Sequence, residues 1–189
     1  MTTTNSVADE ARGLPKEPTS PWILILVVAT VVVWLAVLAW QVVVLPERVP
    51  VHFGSGGEPD GWSSKAGALA FSALLPLLLV LPLPLLTTLI VLRATELING
   101  PRKEWWTATA PRLRRFERLL REDLWLITVV TLALLVAMQV GIVRAAESPD
   151  QRMPEELLFG GMAVFGVGLV AVMVRMYAGN RYAEQPDLD

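Results

Sequence analysis

Four stretches of this chain lack any charged side chain for long enough to cross a lipid bilayer, and nothing else in the sequence constrains the fold as strongly. Residues 22–45 (24 residues), 66–92 (27), 124–143 (20) and 157–174 (18) contain no Asp, Glu, Lys or Arg. At 1.5 Å of helical rise per residue, each comes close to or exceeds the roughly 30 Å of bilayer hydrocarbon. Composition agrees, with 53% of the 189 residues hydrophobic and a mean hydropathy of +0.51. The expected fold is all-α: a polytopic membrane protein whose transmembrane domain covers residues 21–177, with residues 1–20 and 178–189 as cytoplasmic tails. The first tail is expected to be disordered because it holds too little apolar surface to fold.

The first apolar run far exceeds the h-region of a signal peptide, and no A-x-A site follows it, so it reads as an uncleaved anchor. Orientation follows from the basic residues. Eight of the 16 Lys and Arg residues fall between Arg93 and Glu122, while the first and third connections hold two each: Arg48 with Lys65, and Arg144 with Arg152. The basic segment and both termini are expected in the cytoplasm, and the first connection outside.

Within the spans, Pro21 suits the first position of helix one. Pro76, Pro82 and Pro84 each remove a backbone donor from the second run, which predicts a kink, with Ser72 placed to help satisfy the freed backbone. Gly161 and Gly168 share a face of the fourth helix and predict close packing there. Gln41 and Gln139 each lie four residues from the outer end of a span, so a polar contact between helices one and three is expected.

Between Pro111 and Asp123, Leu113, Phe116 and Leu120 share one helical face, while Arg112, Arg115 and Arg118 lie largely on another. With Trp105 and Trp106 just upstream, this amphipathic helix suits the cytoplasmic membrane surface, its arginines meeting anionic headgroups. A basic connector that merely obeys topology rules is the alternative. Nucleic acid is not an expected partner, since glutamates interrupt the arginines and no recognition module is present.

The absence of ionisable groups within the spans argues against proton relays, ion pumps and voltage sensors. With one His and no Cys in the chain, no nucleophile and base can be assembled at depth, so no enzyme activity and no cofactor are expected. Chemistry-bearing residues instead gather in "LPERVPVHFGSGGEPDGWSSK", residues 45–65. It offers His52 beside Glu47, Glu58 and Asp60, but without metal-ligand spacing, so no metal is expected. "EPDG" suits a type I turn centred on Pro59 and Asp60. Ser63 or Ser64 is placed to cap helix two, and Trp62 to anchor at the interface. A contact between His52 and Asp60 would make the segment responsive to mild acid.

The order Leu45, Pro46, Val49, Pro50, His52, Phe53, Gly57, Pro59, Asp60, Gly61, Trp62, Ser64 and Lys65 resembles the membrane family called domain of unknown function 1648, the N-terminal unit of SdpI-like bacterial immunity and signalling proteins. The resemblance covers helix one, the loop and helix two. It implies location in the bacterial cytoplasmic membrane and an outward-facing signature loop, and it implies no catalytic residue. The expected role is binding, sensing or immunity, with His52, Phe53, Gly57, Pro59, Asp60, Trp62 and Lys65 meeting an envelope peptide or a membrane-protein partner. An accessory subunit or small transporter is the alternative.

Overall fold

The computed structural model describes residues 3–178 and 180–188. Seven α-helices and one hairpin are described: α1 (Thr3–Gly13), α2 (Pro21–Val44), strands β1 (Arg48–Phe53) and β2 (Pro59–Ser64), α3 (Lys65–Leu75), α4 (Leu83–Arg93), α5 (Lys103–Trp106), α6 (Ala110–Glu147) and α7 (Glu155–Tyr177). Four stretches are helical, long and apolar enough to cross a membrane: Pro21–Val44, Lys65–Thr87, Ala110–Glu147 and Glu155–Tyr177. Their faces carry exposed Ile25, Val28, Leu78, Val164 and Val167, a surface suited to lipid hydrocarbon. The protein is a multi-pass membrane protein, and its helices form two compact units.

One unit comprises Leu26–Leu81 and Thr128–Leu169. Its second span is broken as the prolines require. α3 ends at Leu75, a π-helical turn covers Pro76–Val80, and the chain resumes as α4 at Leu83. Pro76 leaves the Ser72 carbonyl without its helical donor, and two other helices supply replacements. The Trp34 indole N–H and the Gln139 amide each donate to it at 3.1 Å. Pro84 likewise frees the Val80 carbonyl, which accepts from the Thr128 hydroxyl at 3.4 Å. The Ser72 carbonyl is thus the freed group that matters here, and an indole on α2 and an amide on α6 satisfy it.

In the same unit, a Cβ on Gly161 would come within 3.1 Å of Ala137 and one on Gly168 within 2.7 Å of Val130, whereas Gly160 and Gly166 face open space. The close packing of α7 on α6 uses the two glycines seven residues apart. Gln41 and Gln139 are both buried, but they do not bond each other. Gln139 donates to Ser72 instead, and both polar ends of Gln41 lack a partner among the described residues.

The other unit comprises Met1–Ile25, Pro82–Ile127 and Val170–Asp189. Its core joins Ala8 and Ala11 of α1, Val91 and Leu92 of α4, Trp106 of α5, and Leu113, Phe116 and Leu119 of α6. Tyr182 stacks edge-on to both Trp106 and Phe116, at 6.4 and 5.7 Å between ring centroids. Three expectations change here. The N-terminal segment is a helix followed by an ordered strap, with the Arg114 guanidinium donating to the Leu14 carbonyl at 2.7 Å and that of Arg121 to the Glu17 carbonyl at 2.6 Å. The C-terminal segment is also ordered, since the Trp106 indole donates to the Tyr182 carbonyl at 3.2 Å. The amphipathic stretch is the first part of the long α6, and its apolar face packs on protein rather than lipid. Trp106 is fully buried, Arg112 stacks over Trp105 at 4.2 Å, and Arg115 and Arg118 each reach Glu17 at 2.7 Å.

Candidate functional site

Residues 45–65 fold into an antiparallel hairpin, and the reversal falls on "GSGG" rather than on "EPDG". The Gly54 amide donates to the Glu58 carbonyl at 2.8 Å, and the Gly57 amide to the Gly54 carbonyl at 2.9 Å. Gly57 has φ +80°, which side chains rarely adopt. Pro59 and Asp60, expected at a turn centre, open β2 instead. A glycine able to take positive φ is the stronger turn former, and Pro59 costs the hairpin nothing as the first residue of its strand.

Strand register explains why His52 and Asp60 meet. Pairing runs Arg48 to Ser64, Val49 to Ser63, Pro50 to Trp62, His52 to Gly61 and Phe53 to Pro59. Val51 is therefore extra on β1 and Asp60 extra on β2, two offsets that cancel. Each extra residue re-aims the side chains beside it. The His52 imidazole Nδ1 and the Asp60 carboxylate are brought into contact, with 75% and 55% of their side-chain surface exposed. Gly61 faces His52 so closely that a Cβ on it would lie 2.9 Å from the His52 Cβ.

The hairpin is anchored at its base. Val49 is fully buried against Leu45, Ala68 and Val143, and the Lys65 amide donates to the Glu47 carbonyl at 3.1 Å. Ser64 caps α3, its hydroxyl accepting from the Gly67 amide at 3.1 Å. Trp62 remains exposed, with the Arg48 guanidinium 4.4 Å from its ring centroid. Phe53 is half-buried. Next to Val51 opens a cleft of about 330 Å³ lined by Ser63, Gly67, Phe71 and Ile142.

A second segment, between α6 and α7, holds the hairpin tip. The Met153 amide donates to the Gly57 carbonyl at 3.0 Å, Arg152 reaches the Gly56 carbonyl at 2.5 Å and the Glu58 carboxylate at 2.7 Å, and the Trp62 indole donates to Gln151 at 3.3 Å. The segment is itself ordered by Asp150. The Ser148 hydroxyl and the Arg152 amide donate to the Asp150 carboxylate and hold its pKa below the ordinary aspartate value. Sequence reading missed this clamp. Arg152 entered it only as a topology count, because contact across a hundred residues leaves no local pattern.

A network of buried charges on α6 was also missed. Glu117, Glu122 and Asp123 are at most 1% exposed, and Arg114 and Arg121 are nearly as buried. Glu122 accepts from the Ser20 amide at 2.9 Å and hydroxyl at 2.8 Å, and from Arg181 at 2.8 Å. Asp123 accepts from Arg181 at 3.2 Å and from the Tyr182 hydroxyl at 2.6 Å, and it also pairs with Arg175. Burial pushes the Tyr182 phenol up to about 12. One sequence signal was present: Arg114, Glu117 and Arg121 are three and four apart, which places opposite charges along one helical stripe.

Residues 23–80 match the family model described as Domain of unknown function (DUF1648), a span running from α2 through the hairpin and α3 to the π-helical turn. No curated protein and no solved structure matches the chain. The matched segment contains both halves of the hairpin and the proline that follows α3.

Proposed function

We propose that this membrane protein is a binding or sensing module of the bacterial cytoplasmic membrane, immunity-like in role and without chemistry of its own. In this reading both termini lie inside and the hairpin faces outward to an envelope peptide or the exposed segment of another membrane protein. One observation carries it: the hairpin spends register offsets, a positive-φ glycine and a clamp from a second segment on displaying His52, Asp60 and Trp62 together in the open. A solvent-exposed pair contributes little to stability, typically 0–1 kcal/mol, so a fold is a poor reason to build one so carefully. Recognition is a better reason, and the apolar cleft beside Val51 offers a place for a partner's side chain. The broken second span supports a second reading, a small transporter, because interrupted helices build transport sites in other membrane proteins.

Two measurements test the proposal. Ser55→Cys and Thr107→Cys should label from opposite sides of the membrane, Ser55 from outside; labelling from one side removes the topology. His52→Ala and Asp60→Ala should keep membrane abundance while cutting the yield of partner crosslinking from a photoreactive residue at Val51. Unchanged crosslinking in both variants would rule the hairpin out as the recognition surface. Substrate flux in vesicles containing only this protein would select the transporter instead.

A further inference from the structure

Arg115, Arg118, Arg175 and Arg181 converge on an open cavity of about 660 Å³, whose apolar side is formed by Val174 and Ala178. None of its lining residues is an acid. The carboxylates that pair with these arginines lie behind them: Glu122 and Asp123 are buried, and Glu17 bridges Arg115 and Arg118 from the N-terminal strap. Among the described ion pairs of this network, the six arginines 114, 115, 118, 121, 175 and 181 share five acids, Glu17, Glu117, Glu122, Asp123 and Asp187. Asp187 is 62% exposed and so a weak counter-charge. Among the described residues these pairs leave one more arginine than carboxylate, and four of the six arginines line the cavity.

We propose that this cavity binds a phosphate-bearing anion, either the headgroup of an anionic lipid or a soluble phosphate. Guanidinium groups match phosphate oxygens in geometry as well as charge, since each presents several N–H donors in a fixed fork. The four arginines keep 16–25% of their side-chain surface exposed, enough to donate outward while their inner faces hold carboxylates. Burying a cation surplus without a counter-ion is costly, so an anion seated here stabilises the surrounding fold. The cavity greatly exceeds one phosphate group, and Val174, which is 56% exposed, continues it as an apolar strip able to follow an acyl chain.

The full chain, purified in neutral detergent, is titrated with phosphatidylglycerol, with phosphatidylcholine as the zwitterionic control, and separately with inorganic phosphate against chloride at equal ionic strength. Thermal unfolding and native mass spectrometry report binding. A preference for phosphatidylglycerol of about tenfold or more, the size of one charge-assisted hydrogen bond, is expected. A response to phosphatidylglycerol alone assigns a lipid headgroup, and a response to inorganic phosphate assigns a soluble source. Equal responses to both lipids with none to phosphate overturn the proposal. Ala178→Glu places a carboxylate in the cavity without removing any ion pair and should weaken anion binding about tenfold, while Ala178→Gln, of the same size, should bind like the parent. Val174→Glu reads the same cavity if Ala178→Glu fails to fold. Parent-like binding by a folded Glu variant also overturns the proposal.

Discussion

His52 and Asp60 meet with most of their side-chain surface in solvent, whereas Asp123 meets Arg175, Arg181 and Tyr182 with none of its own exposed. Both are contacts between a carboxylate and a nitrogen base, yet they differ in what their loss does. Water replaces a lost partner at the hairpin, so the pair is nearly neutral for folding and its groups stay free to exchange partners. At Asp123 no water replaces the loss, and a broken pair leaves an uncompensated charge. Exposed pairing therefore suits recognition, and buried pairing specifies structure.

The largest expected effect breaks the buried side. Asp123→Ala should destabilise the protein by about 3–5 kcal/mol, because Arg175 and Arg181 both lose a carboxylate and Tyr182 an acceptor. Chemical unfolding in mixed micelles measures it. A loss below about 1 kcal/mol would place this network in the same class as the hairpin pair and remove the distinction.

What the sequence revealed differs between the same two regions, for physical reasons. The spans, the broken second helix, the Ser64 cap and the Gly161–Gly168 face were legible because each depends on local spacing or on one residue's backbone chemistry. The turn was misplaced because two adjacent sequences compete for it, and only the packed hairpin shows that Gly57 takes positive φ. The N-terminal strap was illegible for another reason. Disorder was inferred from low apolar content, but residues 14–20 are held by arginines donating to the Leu14 and Glu17 carbonyls and by Ser20 donating to Glu122. Composition counts apolar surface and misses hydrogen bonds supplied by a segment a hundred residues away. The inner contacts of Arg115 and Arg118 were illegible for the same reason: the one carboxylate they share, Glu17, lies outside the helix.

An intermediate effect comes from pH. Tyr182 has its pKa raised from 10.0 to about 12 in the folded protein, chiefly by burial, so the fold prefers the neutral phenol. A group raised in this way contributes its full stability below the unfolded value and loses it as pH climbs through the folded value. Stability should therefore fall between about pH 10 and 12, by on the order of 2 kcal/mol for a shift of this size. Tyr182→Phe, which cannot ionise, should be less stable at neutral pH for lack of the bond to Asp123, yet lose less on alkaline titration. Parallel alkaline curves for the two proteins would show that the phenol is not responsible.

The smallest expected effect concerns the exposed pair, and it sharpens the comparison most. In a double-mutant cycle with His52→Ala and Asp60→Ala, the coupling in unfolding free energy should be under about 1 kcal/mol, because both groups recover solvation when separated. The same cycle read in partner crosslinking should show each single substitution as damaging as the pair, since a partner that uses the joined imidazole and carboxylate loses the composite surface when either is removed. Gly61→Ala separates geometry from charge. Its new Cβ meets the His52 Cβ at 2.9 Å, so the strands must shift while the imidazole and the carboxylate both remain. Overpacking of this kind typically costs about 1–3 kcal/mol. If Gly61→Ala abolishes crosslinking while His52→Ala and Asp60→Ala do not, the hairpin acts through backbone shape alone, and the exposed pair is only a passenger on it. If all three abolish it at normal abundance, the register offsets at Val51 and Asp60 exist to present that pair.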